Sequence, residues 1–279
     1  MSGFGSRLAG ALERFGGLCL GIDPHDALLD AWSLDRSPHG VREFGLRAID
    51  AADGVLGIVK PQVAFYERFG AAGLSALEDI LRTAREAGML VIADAKRGDI
   101  GSTMTGYAEA WLGLGSPLEA DALTVSPFLG AGSLAPAVEL ARARGKGLFV
   151  LAATSNPEGE TIQSAERDGV SVAAGILRDV NAWNDAAAPI GDFGVVIGAT
   201  VARDGRALGA DLVTGSAPIL APGFGAQGAQ LRDVREAFGD ASARVVANVS
   251  RDALAGGPGA TLTQRLVALS GELREGAVA

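Results

Sequence analysis

Short apolar runs recur along this chain, each closed by a glycine, a proline or a charged residue and separated from the next by amphipathic stretches. They fall at residues 18–22, 55–59, 89–93, 122–125, 147–152, 194–197, 219–221 and 244–247. Runs that are apolar nearly throughout predict strands buried on both faces, because a strand with one wet face alternates polar and apolar side chains. Helical spacing of apolar residues predicts helices over 40–52, 71–87, 102–113, 134–144, 168–187 and 229–238. Strand and helix therefore alternate, which predicts an α/β fold with a parallel sheet covered by helices. Eight such units predict a closed (β/α)8 TIM barrel with a parallel eight-stranded core. An open doubly wound sheet is the runner-up, since periodicity does not say whether a sheet closes.

The 40 glycines lie beside the apolar runs and are not pooled in a linker, so residues 1–279 read as one domain. The longest gap, between the fifth and sixth runs, holds Asn156, Pro157, Glu158, Gly159 and Glu160 and reads as a long loop or lid on the active face.

Composition narrows the function. With 48% hydrophobic and 20% charged residues the chain is built to fold, not to stay disordered. A formal charge of −9 opposes nucleic acid and acidic membrane surfaces, so an anionic ligand needs a local basic pocket. A lone cysteine, Cys19, excludes an intrachain disulfide and a cysteine-rich zinc site. Residues 1–20 lack a secretory pattern, and no run approaches the roughly 18 apolar residues of a membrane span, so the expected location is cytoplasmic. Two histidines without metal-ligand spacing give no support to a zinc site. Cys19 reads as a core residue, His25 as loop surface, His39 as surface, and Trp32, Trp111 and Trp183 as packing or interface.

In a barrel the chemistry lies where strands end and βα loops begin. The runs lead there into Asp23, Lys60, Asp94 and Lys96, Thr154 and Ser155, Pro222 and Gln227, and Ser250 and Arg251. Charge at the ends of buried strands must be paired or used. The sharpest feature is Asp94-Ala95-Lys96-Arg97-Gly98-Asp99-Ile100-Gly101-Ser102-Thr103, directly after an apolar run. Residues two apart in a strand share a face, so Asp94 and Lys96 are expected to point into one site, with Asp99 past the strand end. A lysine between carboxylates is held protonated, which makes it a positioned cation and a potential proton donor.

The stretch Pro222-Gly223-Phe224-Gly225-Ala226-Gln227-Gly228 contains a formal G-x-G-x-x-G. A dinucleotide fingerprint opens a βαβ unit with further strands to follow, and here only one strand remains. The stretch instead reads as the loop after the seventh strand, forming a phosphate corner with Ser250 and Arg251.

At these residues the sequence resembles the orotidine 5′-phosphate decarboxylase family, in its longer bacterial branch. The resemblance is carried in order by Gly21-Ile22-Asp23-Pro24, Val59-Lys60-Pro61-Gln62, Ala93-Asp94-Ala95-Lys96-Arg97-Gly98-Asp99-Ile100, Ser155-Asn156-Pro157, Ala221 to Gly228 and Ser250-Arg251. It implies a homodimeric barrel with shared active sites that removes CO2 from orotidine 5′-monophosphate to give UMP, the last step of UMP biosynthesis, without metal or organic cofactor. It also implies roles. Lys96 would protonate C6 beside Asp94, within a charged network of Lys60, Asp94, Lys96 and Asp99. Lys60 would link Asp94 to the ribose hydroxyls, and Asp23 would bind the ribose. Asp99, Ile100 and Thr103 would reach the neighbouring subunit's ligand. Ser155 would meet the pyrimidine, Pro222 would line its pocket, and Gln227 and Arg251 would hold the phosphate. Ser250 stands where shorter members often carry glycine. A metal-dependent sugar-phosphate decarboxylase or aldolase of the same barrel group is the alternative enzyme, and a phosphate-ligand binding barrel without turnover is the non-enzymatic one.

Overall fold

The computed structural model describes residues 2–204 and 215–278. Eight parallel strands close into a barrel: β1 (Leu18–Ile22), β2 (Ile58–Pro61), β3 (Leu90–Arg97), β4 (Ala122–Val125), β5 (Gly147–Ala153), β6 (Phe193–Ile197), β7 (Ile219–Pro222) and β8 (Val245–Val249). Each pairs with its neighbour in sequence, and β8 returns to β1 through Leu18–Ala247, Cys19–Asn248 and Leu20–Val249. The sheet closes, and the open-sheet alternative falls.

Strand positions match the apolar runs, with shifts at their ends. Strand β2 begins at Ile58 and not at residue 55, because the amides of Val55 and Leu56 donate to Ala52 O and finish the preceding helix. Strands β3 and β8 run past residues 93 and 247 into polar residues. Hydropathy marks the buried length of a strand and is blind to backbone pairing that continues into a site.

Strand alternation divides the core in two. Inward side chains Cys19, Ile58, Leu90, Ile92, Ala122, Phe149, Val196, Leu220 and Val246 pack inside the barrel with Phe4 and Leu8. The latter two belong to an N-terminal helix, α1 (Phe4–Phe15), that strand-and-helix periodicity did not single out. Phe4 stands edge-on to Phe149 with ring centroids 5.9 Å apart, so α1 plugs the N-terminal mouth. Burying Phe4 and Leu8 contributes roughly 1.5–3 kcal/mol each.

Outward side chains pack under the helices α2 (Pro38–Ala52), α3 (Gly70–Glu86), α4 (Gly101–Leu112) and α5 (Ala135–Arg144) in a second, larger cluster. Helix α2 starts where sequence rules place it: Ser37 accepts a bond from Gly40 N at 3.1 Å and Pro38 takes the first turn. Trp32 and Trp111 are buried in this layer and Trp183 packs edge-on to Phe193, as packing residues.

The gap after β5 is more ordered than a loop. It holds α6 (Pro157–Gln163), none of whose residues is buried, and a two-residue hairpin pairing Glu166–Arg167 with Val170–Ser171. The next helix, α7 (Val172–Trp183), is therefore shorter than the predicted 168–187: Asp168 at φ +55° turns the hairpin, and Ser171 caps the helix. The predicted helix 229–238 likewise contracts to Val234–Phe238, preceded by a 3-10 turn. Among the described residues no helix is long and apolar enough to cross a membrane.

Candidate active site

Along the strands the inward positions change from apolar to polar toward the C-terminal mouth. Ile58 is followed by Lys60, Ile92 by Asp94, Ala122 by Thr124, Leu220 by Pro222 and Val246 by Asn248. The period of two thus brings a polar side chain from each of four strands, Lys60, Asp94, Thr124 and Asn248, with the apolar Pro222 from a fifth, to the C-terminal end. With Asp23, all of these but the fully buried Thr124 line a cavity of about 490 Å³ that is also lined by Lys96, Ser155, Gln227 and Arg251.

Its centre is a carboxylate shared by two ammonium groups. Lys60 Nζ donates to Asp94 Oδ2 at 2.8 Å, and Lys96 Nζ donates to Asp94 Oδ1 at 2.6 Å. Lys60 also stands 3.9 Å from Asp23 Oδ1. Lys60 and Asp94 are buried, whereas the Lys96 side chain is 44% exposed at the cavity. Burial opposes ionisation of Asp94, but the Lys60 and Lys96 charges outweigh it and hold the carboxyl well below the usual carboxylate range. Burial likewise opposes the charge on Lys60, and attraction to Asp94 and Asp23 outweighs it, raising Lys60 above its ordinary value. The pair is ionised throughout the physiological range.

Asp94 and Lys96 meet by a different route from the one a regular strand would give. Lys96 sits at φ +48°, and the β3–β4 register slips between Ala93 and Arg97. The lysine is turned by a bulge and reaches back to its neighbour, a device common beside active sites.

Near this centre several buried oxygens make no hydrogen bond among the described residues: Asp23 Oδ1, Asn248 Oδ1, Ser250 Oγ and Tyr66 Oη. A buried polar atom without a partner costs about 1–3 kcal/mol, so such a cluster marks a place shaped for a ligand. Gly21 makes room for it. A side chain there would approach Ser250 Cβ to 2.9 Å and Asn248 Oδ1 to 3.1 Å.

The loop after β7 and the start of the helix Arg251–Leu254 face the same cavity, which Gln227 and Arg251 both line. Ser155 Oγ donates to Gln227 Oε1 at 2.9 Å, tying the loop after β5 to the loop after β7. Three predicted residues stand apart. Asp99, Ile100 and Thr103 do not line this cavity; Asp99 accepts from Ile100 N at 2.8 Å, and Ile100 is 63% exposed.

Sequence reasoning gave no role to Gln62, Thr124, Asn248 or His25. Asn248 directly follows the apolar run 244–247 and Thr124 is the polar residue within the run 122–125, the patterns that could have found them. His25 sits in the loop after β1, half-buried, where it lines the cavity and packs edge-on against Phe65, ring centroids 4.4 Å apart. Cys19, inward below the charged layer, is a core residue, its thiol pushed up to about 12 by burial.

A closed parallel barrel whose C-terminal mouth gathers a strained lysine, a buried carboxylate and an open cavity defines a TIM-barrel enzyme. Residues 16–258 match the model of the orotidine 5′-phosphate decarboxylase / HUMPS family, and the chain belongs to that family. It is 51% identical over 262 residues to the orotidine 5′-phosphate decarboxylase of Streptomyces coelicolor, covering 94% of this chain and 93% of that one. It is 48% identical over 259 residues to that of Salinispora tropica, covering 92% of each. Among solved structures, a Streptomyces avermitilis protein superimposes with TM-score 0.94 at 48% identity, covering 100% of this chain and 97% of that one. The Leishmania donovani OMP decarboxylase does so with TM-score 0.78 at 29% identity, covering 100% of both.

Proposed function

We infer that this chain is an orotidine 5′-phosphate decarboxylase, converting orotidine 5′-monophosphate to UMP and CO2. The observation that carries this reading is the Lys60–Asp94–Lys96 array at the cavity. When the C6–carboxylate bond breaks, the electron pair stays in an sp² orbital on C6 that cannot spread into the ring carbonyls. A cation must stand beside it. Lys96 Nζ stabilises the developing charge and gives C6 a proton; CO2 leaves, and the neutral amine regains its proton from solvent. One group acts as stabiliser and acid, so the reading includes no metal and no organic cofactor. Asp94 orients Lys96.

Lys60 would link Asp94 to the ribose hydroxyls, Asp23 would bind the ribose, Ser155 would meet the pyrimidine and Pro222 would line its pocket. Gln227 and Arg251 would hold the phosphate. Very slow reactions ask enzymes for about 20 kcal/mol or more, beyond what one lysine supplies. Binding energy from the remote phosphate provides the rest by closing loops over the charged array.

A metal-dependent sugar-phosphate reaction is disfavoured by the donor set. Both oxygens of Asp94 already accept from ammonium groups, an arrangement that repels a cation. An ultraviolet assay following loss of orotidine monophosphate absorbance, with and without EDTA, tests the reading. Turnover that survives EDTA is expected, and turnover abolished by EDTA and restored by Mg²⁺ overturns it.

We further propose a homodimer with shared sites. Asp99, Ile100 and Thr103 turn outward from their own cavity, and exposed Ile100 is accompanied by exposed Phe128 and Leu129. Their loops lie side by side, with Ser126 N donating to Arg97 O at 2.8 Å. Exposed large apolar residues on neighbouring loops beside a site fit a second copy of the chain. Mixing inactive Lys96→Ala with inactive Asp99→Ala protein should restore activity, since one site of each mixed dimer is intact. No recovery after verified subunit exchange argues against sharing.

A further inference from the structure

Thr124 is the polar residue of β4's inward face, and it is fully buried. Its hydroxyl makes two directional bonds at once. It accepts from the Lys96 amide at 2.9 Å and donates to Asp94 Oδ1 at 3.0 Å. Asp94 Oδ1 is also the oxygen taken by Lys96 Nζ at 2.6 Å. Hydroxyl, carboxylate and lysine therefore form a closed ring of contacts.

The first bond falls where the sheet has stopped pairing. On β3 the register runs from Ala93–Leu123 directly to Arg97–Val125, so the backbone at Asp94, Ala95 and Lys96 has Thr124 as the facing residue of β4. Lys96 there adopts a left-handed φ of +48°, which an L residue with a long side chain holds only when its surroundings impose it. The Thr124 hydroxyl takes the amide that the bulge releases. Only a side chain that accepts and donates through one atom can hold the backbone of Lys96 and the carboxylate of Asp94 together; valine has the same shape and can do neither.

We propose that Thr124 is a positioning residue for the decarboxylation: its hydroxyl fixes the bulge of β3 against Asp94, so that Lys96 Nζ is held at one place in the cavity. The assignment rests on the reading of Lys96 as the proton donor. It acts through Lys96 and Asp94 and needs no contact of its own with the substrate.

The test compares wild type, Thr124→Val and Thr124→Ser for kcat and KM with orotidine monophosphate, for the dissociation constant of UMP and for thermal midpoint. Misplacement of a catalytic group lowers kcat, so Thr124→Val should lose roughly 10- to 100-fold in kcat. Its KM and UMP affinity should stay within about threefold of wild type, because the phosphate and ribose contacts are untouched. Thr124→Ser, which restores the hydroxyl, should recover kcat to within about threefold. The proposal falls if Thr124→Val keeps wild-type kcat, if its whole loss lies in KM, or if Thr124→Ser is as slow as Thr124→Val. Should Thr124→Val fail to fold, Thr124→Ala removes the same two bonds and carries the same expectations. Wild-type turnover is measured first: its absence sinks the decarboxylase reading, whereas normal wild-type turnover with an unimpaired Thr124→Val sinks the role of Thr124 alone.

Discussion

The two ends of the barrel each bury a lysine among carboxylates, and they use it in opposite ways. At the N-terminal end Lys146 donates to Glu119 Oε1 at 2.8 Å and stands 3.9 Å from Asp121. The second Glu119 oxygen accepts from Gly115 N and pairs with Arg85, while Asp121 accepts from Arg7 and from Val91 N. All four carboxylate oxygens there have partners, and Arg85 Nε is a buried atom left without one. At the C-terminal end Asp94 is equally well bonded, yet Asp23, Asn248 and Ser250 present oxygens without a hydrogen bond and Lys96 is open to the cavity. A closed network holds elements together. An open one, at the same depth and with the same residue types, waits for a ligand.

Substitutions sharpen this contrast from its largest effect downward. Lys96→Ala should lower turnover on the order of 10⁴-fold or more, since it removes both the acid and the stabilising charge. Its thermal midpoint should scarcely move and UMP analogues should still bind, because the Lys96 side chain is half exposed and buried Asp94 keeps its bond from Lys60. Near-normal turnover in that variant removes Lys96 from its role.

Lys146→Met at the other end should do the reverse. Leaving Glu119 and Asp121 buried without their lysine costs about 3–5 kcal/mol, read from denaturant or thermal melts. Its kcat/KM at a temperature where it remains folded should match wild type. A Lys146→Met protein that is stable but inactive would erase the distinction between the two ends. The closed network also has a pH signature. Burial opposes ionisation of Glu119, but hydrogen bonds from Lys146 and Gly115 and the nearby charges hold its carboxyl below the ordinary 4.5. Its stabilisation is then present above that value and lost as pH falls through the folded one.

The smallest effect concerns Cys19, midway between the two layers. Burial raises its thiol from the ordinary 9.0 to about 12, so the native protein favours the neutral thiol, and stability declines only as pH rises from 9 toward 12. At pH 8.5 iodoacetamide should leave the folded protein unmodified and alkylate it once unfolded. Rapid alkylation of the native protein would show that the inner barrel opens.

Much of this protein was determined by its residue order. Apolar runs set off by helical spacing specified the parallel barrel, since a strand covered on both faces has no polar side to hide. Polar residues beyond those runs marked side chains that come together: Lys60, Asp94, Lys96, Gln227 and Arg251 all line one cavity. The tertiary structure decided what periodicity cannot carry. The slip in β3 and the left-handed Lys96 arise from pairing with β4, a partner fixed only when the barrel closes. The plugging of the N-terminal mouth by Phe4 depends on Phe149, far away in the chain. Partnership between residues distant in sequence separates the fully paired carboxylates around Lys146 from the exposed ammonium of Lys96. Local patterns record which side chains are polar; only packing across the barrel records which of them have been left something to do.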